Sequence, residues 1–388
     1  MPKEIYFDNA ASTKVDPRVV AEMMPYFSKT YSNASSLHSF GREAKEALNS
    51  ARAKLASYIN AKPEELVFTS GGTESNNLAI KGVAYANKEK GKHIVVSPIE
   101  HDCVINSCKW LQQQGFEITH LPVDNYGLVA VDELESAIRK DTILVSVMHA
   151  NNEIGTIEPI SEIGKACREH GVYFHTDACQ SFGKIPVNAK QQNIDLMTIN
   201  AHKIYGPKGA GALFIREGVN IIPWQHGGGH EFGLRSSTEN IPGIIGFAKA
   251  AELCKNEMND ENVRLTHLRN KLIDEILQNV GSAYLNGHRE LRLPNNANFG
   301  FHGFEGEAIR IMLELDELGI AVSTGSACSS NQAHNPPSHV LIAIGLNPVE
   351  ARGALRVTLG RYNTEEEVDY FLSCLPKIVK SLTPISSV

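Results

Sequence analysis

The chain has 388 residues, of which 42% are hydrophobic and 21% are charged, so it is long enough for two to three domains with large cores. Its 37 Lys and Arg residues are outnumbered by 44 Asp and Glu residues, and the net charge of −7 excludes a basic surface for nucleic acid. No apolar run reaches membrane-spanning length, and the first residues lack the pattern of a secretory signal. We therefore expect a cytoplasmic protein that binds neither nucleic acid nor membrane.

Short β-branched segments alternate with helical patterns between residues 65 and 216, after an amphipathic helical pattern at 44–59. This alternation is typical of an α/β fold with a mostly parallel sheet covered by helices. The predicted strands are 65–69, 93–97, 143–149, 172–177, 195–199 and 211–216.

The last third of the chain has a different pattern. Residues 224–242 are rich in Gly, Ser and Asn, which favours a hinge, and a long helical pattern follows from 244 to about 280. We expect a large domain over 1–255, whose N-terminal segment can pack on the other domain, and a smaller α+β domain over 256–388. Within the smaller domain, strand-like segments at 297–301 and 354–358 lie among helical patterns at 306–318 and 365–381.

The cysteines and histidines do not predict a metal site. Seven cysteines are an odd number with no C-x-x-C pair, which argues against both a disulfide framework and a cysteine-based zinc site. His226 and His230 are four residues apart, but the three glycines between them disfavour the helix that would align them.

Segment 70–77, Ser-Gly-Gly-Thr-Glu-Ser-Asn-Asn, follows a predicted strand and opens a helical pattern. Glycines at such a place let backbone N–H groups, the helix dipole and the Thr73 hydroxyl converge on one anion, so the segment is suited to a phosphate. It matches neither common glycine-rich nucleotide motif, and an ordinary tight turn is the structural alternative.

Asp177 ends one predicted strand, and Lys203 lies just beyond the end of the next. Because the two are about one βαβ step apart, both can project into the crevice outside the strand ends, where α/β folds bind ligands. A carboxylate opposite a buried amine is the minimum requirement for pyridoxal phosphate, whose aldehyde would react with Lys203 and whose ring nitrogen would be kept protonated by Asp177. A structural Asp–Lys ion pair is the alternative.

At this point the sequence closely resembles the cysteine desulfurases of the NifS/IscS type, class V aminotransferases that depend on pyridoxal 5'-phosphate. The resemblance implies a fold of type I, with a seven-stranded, mostly parallel sheet in the large domain. It rests on motifs at 6–13 (Tyr-Phe-Asp-Asn-Ala-Ala-Ser-Thr), 35–38, 70–74, 99–101, 151–155, 201–209 (Ala-His-Lys-Ile-Tyr-Gly-Pro-Lys-Gly), 227–231, 235–240 and 323–330 (Ser-Thr-Gly-Ser-Ala-Cys-Ser-Ser).

The resemblance assigns the residues around the cofactor ring. Lys203 would bind the cofactor aldehyde, Asp177 the ring nitrogen and Gln180 the phenolic oxygen. His101 would stack on the ring and shuttle protons. Two further residues, Asn152 and Arg356, would hold the carboxylate of the substrate, a task that suits a bidentate arginine better than a lysine.

The same resemblance assigns the phosphate site to Gly72, Thr73 and His202. Thr238 would reach this site from the other subunit, which makes a homodimer necessary for a complete active site. Many relatives have a serine that donates to the phosphate three residues before the lysine. This chain has Asn200 there, whose longer amide can also donate.

Cys328 lies among small polar residues and is followed by Ser-Ser-Asn-Gln-Ala-His-Asn-Pro-Pro, a composition typical of a surface loop. A single cysteine in a polar loop is often incidental, but within motif 323–330 the resemblance implies a nucleophile. Lys203, His101 and Cys328 are then the predicted catalytic residues.

The implied activity is removal of sulfur from L-cysteine, giving L-alanine and a persulfide on Cys328 that passes to an acceptor. The length of the segment between Cys328 and Pro336 resembles the branch that supplies an iron–sulfur scaffold. A selenocysteine lyase, or another aminotransferase or lyase of the same fold, is the nearest alternative. A sulfur carrier without turnover is an alternative of a different class, against which the presence of Lys203, Asp177 and His101 argues.

Overall fold

A computed structural model describes residues 4–325 and 337–382. Within these ranges, no helix is both long and apolar enough to cross a membrane. The helices are α1 (Pro17–Met23), α2 (Pro25–Ser28), α3 (Ser39–Tyr58), α4 (Gly72–Asn87), α5 (Asp102–Gln113), α6 (Val131–Ala137), α7 (Ile160–His170), α8 (Ile241–Asn279), α9 (Ala308–Glu317), α10 (His339–Ala343) and α11 (Glu365–Ser381). The strands are β1 (Ile5–Tyr6), β2 (Leu66–Thr69), β3 (His93–Val96), β4 (Glu117–His120), β5 (Thr142–Ser146), β6 (Tyr173–Asp177), β7 (Leu196–Asn200), β8 (Gly211–Ile215), β9 (Ala283–Leu285), β10 (Asn296–Phe301), β11 (Ile320–Ala321) and β12 (Leu355–Thr358).

The largest sheet has seven strands in the order β2-β8-β7-β6-β5-β3-β4. Strand β8 is antiparallel to both of its neighbours, and the other pairs are parallel, which confirms the predicted α/β fold. The inner strands are recognisable in the sequence because helices cover both faces, so a strand such as β5 is buried throughout and reads as an apolar run. The edge strand β4 was not predicted because Glu117 and His120 at its ends are exposed.

The topology directs three strand ends to one edge of this sheet. Strands β2 and β7 are each antiparallel to β8, which lies between them, so β2 runs in the same direction as β6 and β7. At their carboxyl ends, β2 leads into α4, β6 ends at Asp177 and β7 ends at Asn200. Polar segments that are far apart in the sequence therefore meet at a single edge.

Helix α8 passes through two hydrophobic cores. Its residues up to Cys254 pack in the core of the large sheet, and its residues from Leu265 pack around the second sheet, β12-β10-β9. The segment 224–242 leads into the half of α8 that belongs to the first core, and the hinge predicted there stays a prediction. The N-terminal residues Ile5 and Phe7 pack in the second core. The division of the chain at residue 255 stays a prediction.

Asp16 joins the start of α1 to the segment after β12. Its buried carboxylate caps the helix by accepting from the backbone N–H of Arg18 (2.9 Å), and it also pairs with the guanidinium groups of Arg18 (2.8 Å) and Arg361 (2.6 Å). The hydrogen bonds from Arg18 are the main reason why the pKa of Asp16 is held far below its usual range. The carboxylate thus stabilises the fold while it is ionised.

We expect Asp16→Asn to lower the free energy of unfolding at pH 7 by about 2 kcal/mol, because a neutral amide replaces a buried carboxylate that accepts charged hydrogen bonds, while Arg18 and Arg361 both keep their ion pairs with Glu257. Since the pKa of Asp16 is lower in the folded state, its contribution is complete above the unfolded value of about 3.9 and declines as the pH falls below that value. Urea unfolding of variant and parent should therefore converge as the pH falls below 4.

The control for this prediction is Asp141→Asn. Asp141 also pairs with an arginine, Arg139 (2.8 Å), but both side chains are largely exposed. An exposed ion pair contributes little to stability, so this variant should unfold close to the parent. Equal destabilisation by the two substitutions would contradict the role assigned to Asp16.

Candidate active site

A cleft with an empty volume of about 740 Å³ lies at the edge of the large sheet where β2, β6 and β7 end. It brings together most residues that the sequence predicted for the site. Thr238 is exposed and lies outside the cleft of its own chain, and Cys328 lies outside the described residues. The predicted residues that line the cleft are Gly72, Thr73, His101, Asn152, Asp177, Gln180, Asn200, His202, Lys203 and Arg356.

Asp177 is held at the floor of the cleft by two donors. Its Oδ2 accepts from Nδ2 of Asn76 (2.6 Å), and its Oδ1 accepts from the backbone N–H of Cys179 (2.9 Å). These bonds orient the buried carboxylate in the cleft. Asn76 was not predicted as a site residue, although it follows Gly72 by one helical turn and therefore faces the same side of α4.

Lys203 extends from the segment after β7 toward the N-terminal segment. Its Nζ donates to the carbonyl oxygens of Ala10 and Ala11, the latter at 2.8 Å. Burial, and then the positive charge of Lys203, lower the pKa of the neighbouring His202 to about 3. His202 is therefore neutral near pH 7, with Nδ1 at 3.3 Å from the hydroxyl of Ser12.

His101 caps the start of α5, which fixes the position of its imidazole. Nδ1 accepts from the backbone N–H of Cys103 (3.2 Å), so the proton of the neutral ring lies on Nε2. The thiol of Cys103 is 3.0 Å from the same nitrogen and also accepts from Nδ2 of Asn76 (3.2 Å). Asn76 and Cys103 therefore connect the predicted ring-stacking histidine to the predicted ring-nitrogen carboxylate.

The N-terminus of α4 forms an anion cradle in which only glycine fits. A Cβ at Gly72 would lie 2.7 Å from Sγ of Cys179 and 3.4 Å from Nδ2 of Asn200. Asn200 itself is buried, and within the described ranges its Oδ1 has no hydrogen-bond partner. Thr73 and Asn200 line the cleft beside the N–H groups at the start of α4, where the helix dipole would stabilise a phosphate.

Arg356 is almost completely buried at the opposite wall, with 1% of its surface exposed. Its guanidinium donates to Oδ1 of Asp8 (2.8 Å) and to the carbonyl oxygen of Asn152 (3.0 Å). Asp8 belongs to the motif at 6–13, but nothing in the sequence linked it to an arginine more than 300 residues away. These contacts keep the guanidinium in place at the wall of the cleft.

Both flanks of the segment that contains Cys328 are attached beside this cleft. Before the segment, the backbones of Ser323 and Arg356 exchange two hydrogen bonds (3.1 and 2.7 Å). After it, the Ser338 hydroxyl donates to the Glu153 carboxylate (2.6 Å), next to Asn152. The chain therefore leaves and re-enters the described structure at the wall that holds the predicted substrate-binding residues.

The donor set fits pyridoxal phosphate. An amine and an oriented carboxylate lie at neighbouring strand ends, a neutral histidine is near the amine, and a glycine cradle at a helix N-terminus can take the phosphate. Two buried acceptors in this region, Oδ1 of Asn76 and Oδ1 of Asn200, have no partner within residues 4–325 and 337–382. Polar atoms of this kind indicate a site built for a ligand.

The chain is similar to known proteins over nearly its whole length. The family model for class V aminotransferases matches residues 5–371. A cysteine desulfurase IscS from Dictyoglomus turgidum is 53% identical, and the match covers 100% of this chain and 97% of that protein. Another cysteine desulfurase IscS, from Methanosarcina thermophila, is 50% identical over 99% of this chain and 94% of its own.

Solved structures give the same result. A NifS-like protein has a TM-score of 0.91 and 39% identity, covering 98% of this chain and 100% of its own. A structure described as SspA in complex with cysteine has a TM-score of 0.81 and 37% identity, covering 93% of this chain and 100% of its own. The resemblance seen in the sequence motifs is thus confirmed, and the chain belongs to the class V aminotransferases and, within them, to the cysteine desulfurase family.

Proposed function

We propose that this protein is an L-cysteine desulfurase that uses pyridoxal 5'-phosphate, the cofactor of its family, to remove sulfur from L-cysteine. The observation that carries the proposal is the meeting of Lys203, Asp177 and His101 in one cleft, beside which both flanks of the Cys328 segment are attached. Relatives about 50% identical over nearly the whole chain are named cysteine desulfurases, and one similar structure is described with cysteine bound.

Each residue of the cleft has a role in the proposed reaction that depends on its position. When bound, pyridoxal phosphate supplies an electron sink that stabilises negative charge at the substrate Cα. Asp177 would keep the ring nitrogen of the cofactor protonated, and His101 would stack on the ring and exchange a proton through Nε2. Arg356 and Asn152 bind the substrate carboxylate, which orients the sulfur toward the wall where the Cys328 segment begins and ends.

Sulfur transfer is assigned to Cys328. Its thiolate attacks the sulfur of the substrate, so that an S–S bond forms while the Cβ–S bond of the substrate breaks. The electron pair of the broken bond stays with the carbon, which is protonated to give alanine. The product on the enzyme is a Cys328 persulfide, which an acceptor thiol can attack in turn.

Incubation of the pure protein with L-cysteine and a small thiol, followed by assays of alanine and sulfide, tests this function. Equal amounts of alanine and sulfide are expected, with Lys203→Ala as the inactive control. An aminotransferase would form a keto acid without sulfide, and a sulfur carrier would release neither product in amounts above its own concentration. Much faster turnover of L-selenocysteine than of L-cysteine would instead favour a selenocysteine lyase.

The proposed function also implies a second subunit and a sulfur acceptor as partners of this protein. We propose a homodimer in which Thr238 completes the phosphate site of the other subunit, which is consistent with its exposure outside its own cleft. Exposed apolar side chains at Phe27, Tyr31 and Leu37 are consistent with such an interface. We also propose an iron–sulfur scaffold as the sulfur acceptor, and a cytoplasmic location, where the thiols stay reduced.

Asn200 gives a prediction for cofactor retention. Asn200→Ser is expected to bind pyridoxal phosphate at least as tightly as the parent, because the shorter hydroxyl can donate to the phosphate from the same strand end. Asn200→Ala should bind at least about tenfold more weakly, since loss of a hydrogen bond to a charged group costs about 1.5–3 kcal/mol. Equilibrium dialysis measures both, and markedly weaker binding by Asn200→Ser would show that the amide makes a contact that serine cannot replace.

A further inference from the structure

Lys184 is a buried amine on the turn that follows β6, behind Gln180 of the cleft lining. Only 9% of its surface is exposed, and within the described ranges it forms no ion pair with a carboxylate. Its Nζ donates to Oε1 of Gln180 (3.2 Å). Burial of a cationic side chain without an anion is unfavourable, so the position calls for a function.

The contacts of Gln180 define which end of its amide faces the cleft. Lys184 is a donor, so the atom of Gln180 that faces it must be the carbonyl oxygen. The other end of the amide lies 2.9 Å from the carbonyl oxygen of Ala10, which can only accept, so that end must be the NH₂ group. The same carbonyl also accepts from Lys203, which places the amide NH₂ beside the predicted cofactor-binding amine.

We propose that Lys184 is a positioning residue that fixes the Gln180 amide with its NH₂ group toward the phenolic oxygen of the cofactor. The proposal rests on the proposed function, which brings that oxygen next to Lys203. Without Lys184 the Ala10 carbonyl alone would hold the amide, so the rotated amide, which presents its carbonyl oxygen to the phenolic oxygen and brings two acceptors together, would be more populated. Lys184 therefore acts through Gln180 and does not touch the reacting atoms.

Lys184 can also affect the site through its positive charge, apart from its hydrogen bond to Gln180. Burial, and then the charge of Lys203, lower the pKa of Lys184 to about 7. Arg356 also lowers this pKa, whereas Cys254 and Cys179 raise it. His202 in turn is affected by the charge of Lys184. Removal of Lys184 therefore removes both an amide anchor and a positive charge, and the experiment must separate the two effects.

The readout is the pH midpoint of the visible absorbance of the cofactor-loaded protein, which reports the proton on the Lys203 nitrogen. A donor to the phenolic oxygen favours the negative oxygen and so lowers this midpoint. Lys184→Met, which is similar in size but has no N–H, is expected to raise the midpoint by about one pH unit, a tenfold change in proton affinity. An unchanged midpoint would overturn the proposal.

A double-mutant cycle separates orientation from charge. If Lys184 acts through the amide, most of the shift caused by Lys184→Met should vanish in a Gln180→Ala background. An equal shift in both backgrounds would show a purely electrostatic effect and would overturn the proposal.

Lys184→Arg is the second variant, because it keeps a donor and a positive charge. Its midpoint should remain near the parental value, and a shift as large as that expected for Lys184→Met would overturn the proposal even if the Met variant does not fold.

If the parent shows no visible cofactor band, the proposed function fails together with this inference. A normal parental band with unshifted variants rejects the inference alone.

Discussion

Lys203→Ala is expected to abolish the covalent attachment of pyridoxal phosphate and the visible absorbance that accompanies it. Lys203 is the only lysine of the motif at 201–209 whose side chain the structure places in the cleft, where its Nζ contacts the carbonyl oxygens of Ala10 and Ala11. Alanine production from L-cysteine should fall roughly 10³-fold or more, as for the loss of a positioned acid–base group. Borohydride reduction followed by peptide mapping identifies the attached residue.

Lys208→Ala is the matched control, since it removes an exposed lysine of the same motif. It should retain the visible band and be labelled at Lys203 on reduction. Noncovalent binding of the cofactor to Lys203→Ala should persist, because the anion cradle at the start of α4 and the carboxylate of Asp177 are intact. Reductive labelling of a different lysine in the parent would refute the assignment.

The inner strands of the fold could be predicted because of their burial. A strand covered on both faces is apolar along its whole length, so β5, β6 and β8 were located to within a few residues. The edge strand β4 has exposed polar ends, and its pairing with β3 cannot be read from composition. Likewise, the periodicity of α8 does not show where the helix leaves one core and enters the other, because both halves present apolar residues.

A catalytic residue could be located from the sequence where its position depends only on the direction of the strand before it. Asp177 and Lys203 follow neighbouring parallel strands, and such ends meet at one edge of a sheet whatever the packing of the helices. The contacts that support them depend on tertiary packing. Asn76 reaches Asp177 only because α4 crosses the end of β6, and Asp8 reaches Arg356 only because the first strand pairs beside the second core.

The burial of Lys184 could not be predicted from the sequence either. In the sequence it is one of many lysines and lies in no predicted site motif. Only the structure shows that its side chain turns inward to Gln180, four residues earlier, in place of extending to water. Since lysine is rarely buried, composition gives no signal for such a position.

Cys328→Ser is expected to stop sulfur transfer while leaving the cofactor in place. The residues proposed to hold the cofactor lie on α4, β6, β7 and the segments after these two strands, at the start of α5 (His101) and before α8 (Thr238), so the substitution removes none of their contacts. L-cysteine should still bind, because Arg356 and Asn152 are unchanged. A serine hydroxyl is a far weaker nucleophile toward sulfur than a thiolate, so neither persulfide nor alanine should accumulate.

Two other thiols, those of Cys103 and Cys179, line the cleft. The identity of the nucleophile can therefore be tested by comparing them with Cys328. Burial raises the pKa of Cys179 well above its usual value, which disfavours the thiolate. Cys103 is only half-buried and lies 3.0 Å from Nδ1 of His101, so it is the stronger rival. Cys103→Ser should still form a persulfide at Cys328, detected by mass spectrometry after a single turnover. If Cys328→Ser released alanine at the parental rate, Cys328 would not be the nucleophile, and persulfide on Cys103 would identify the residue that is.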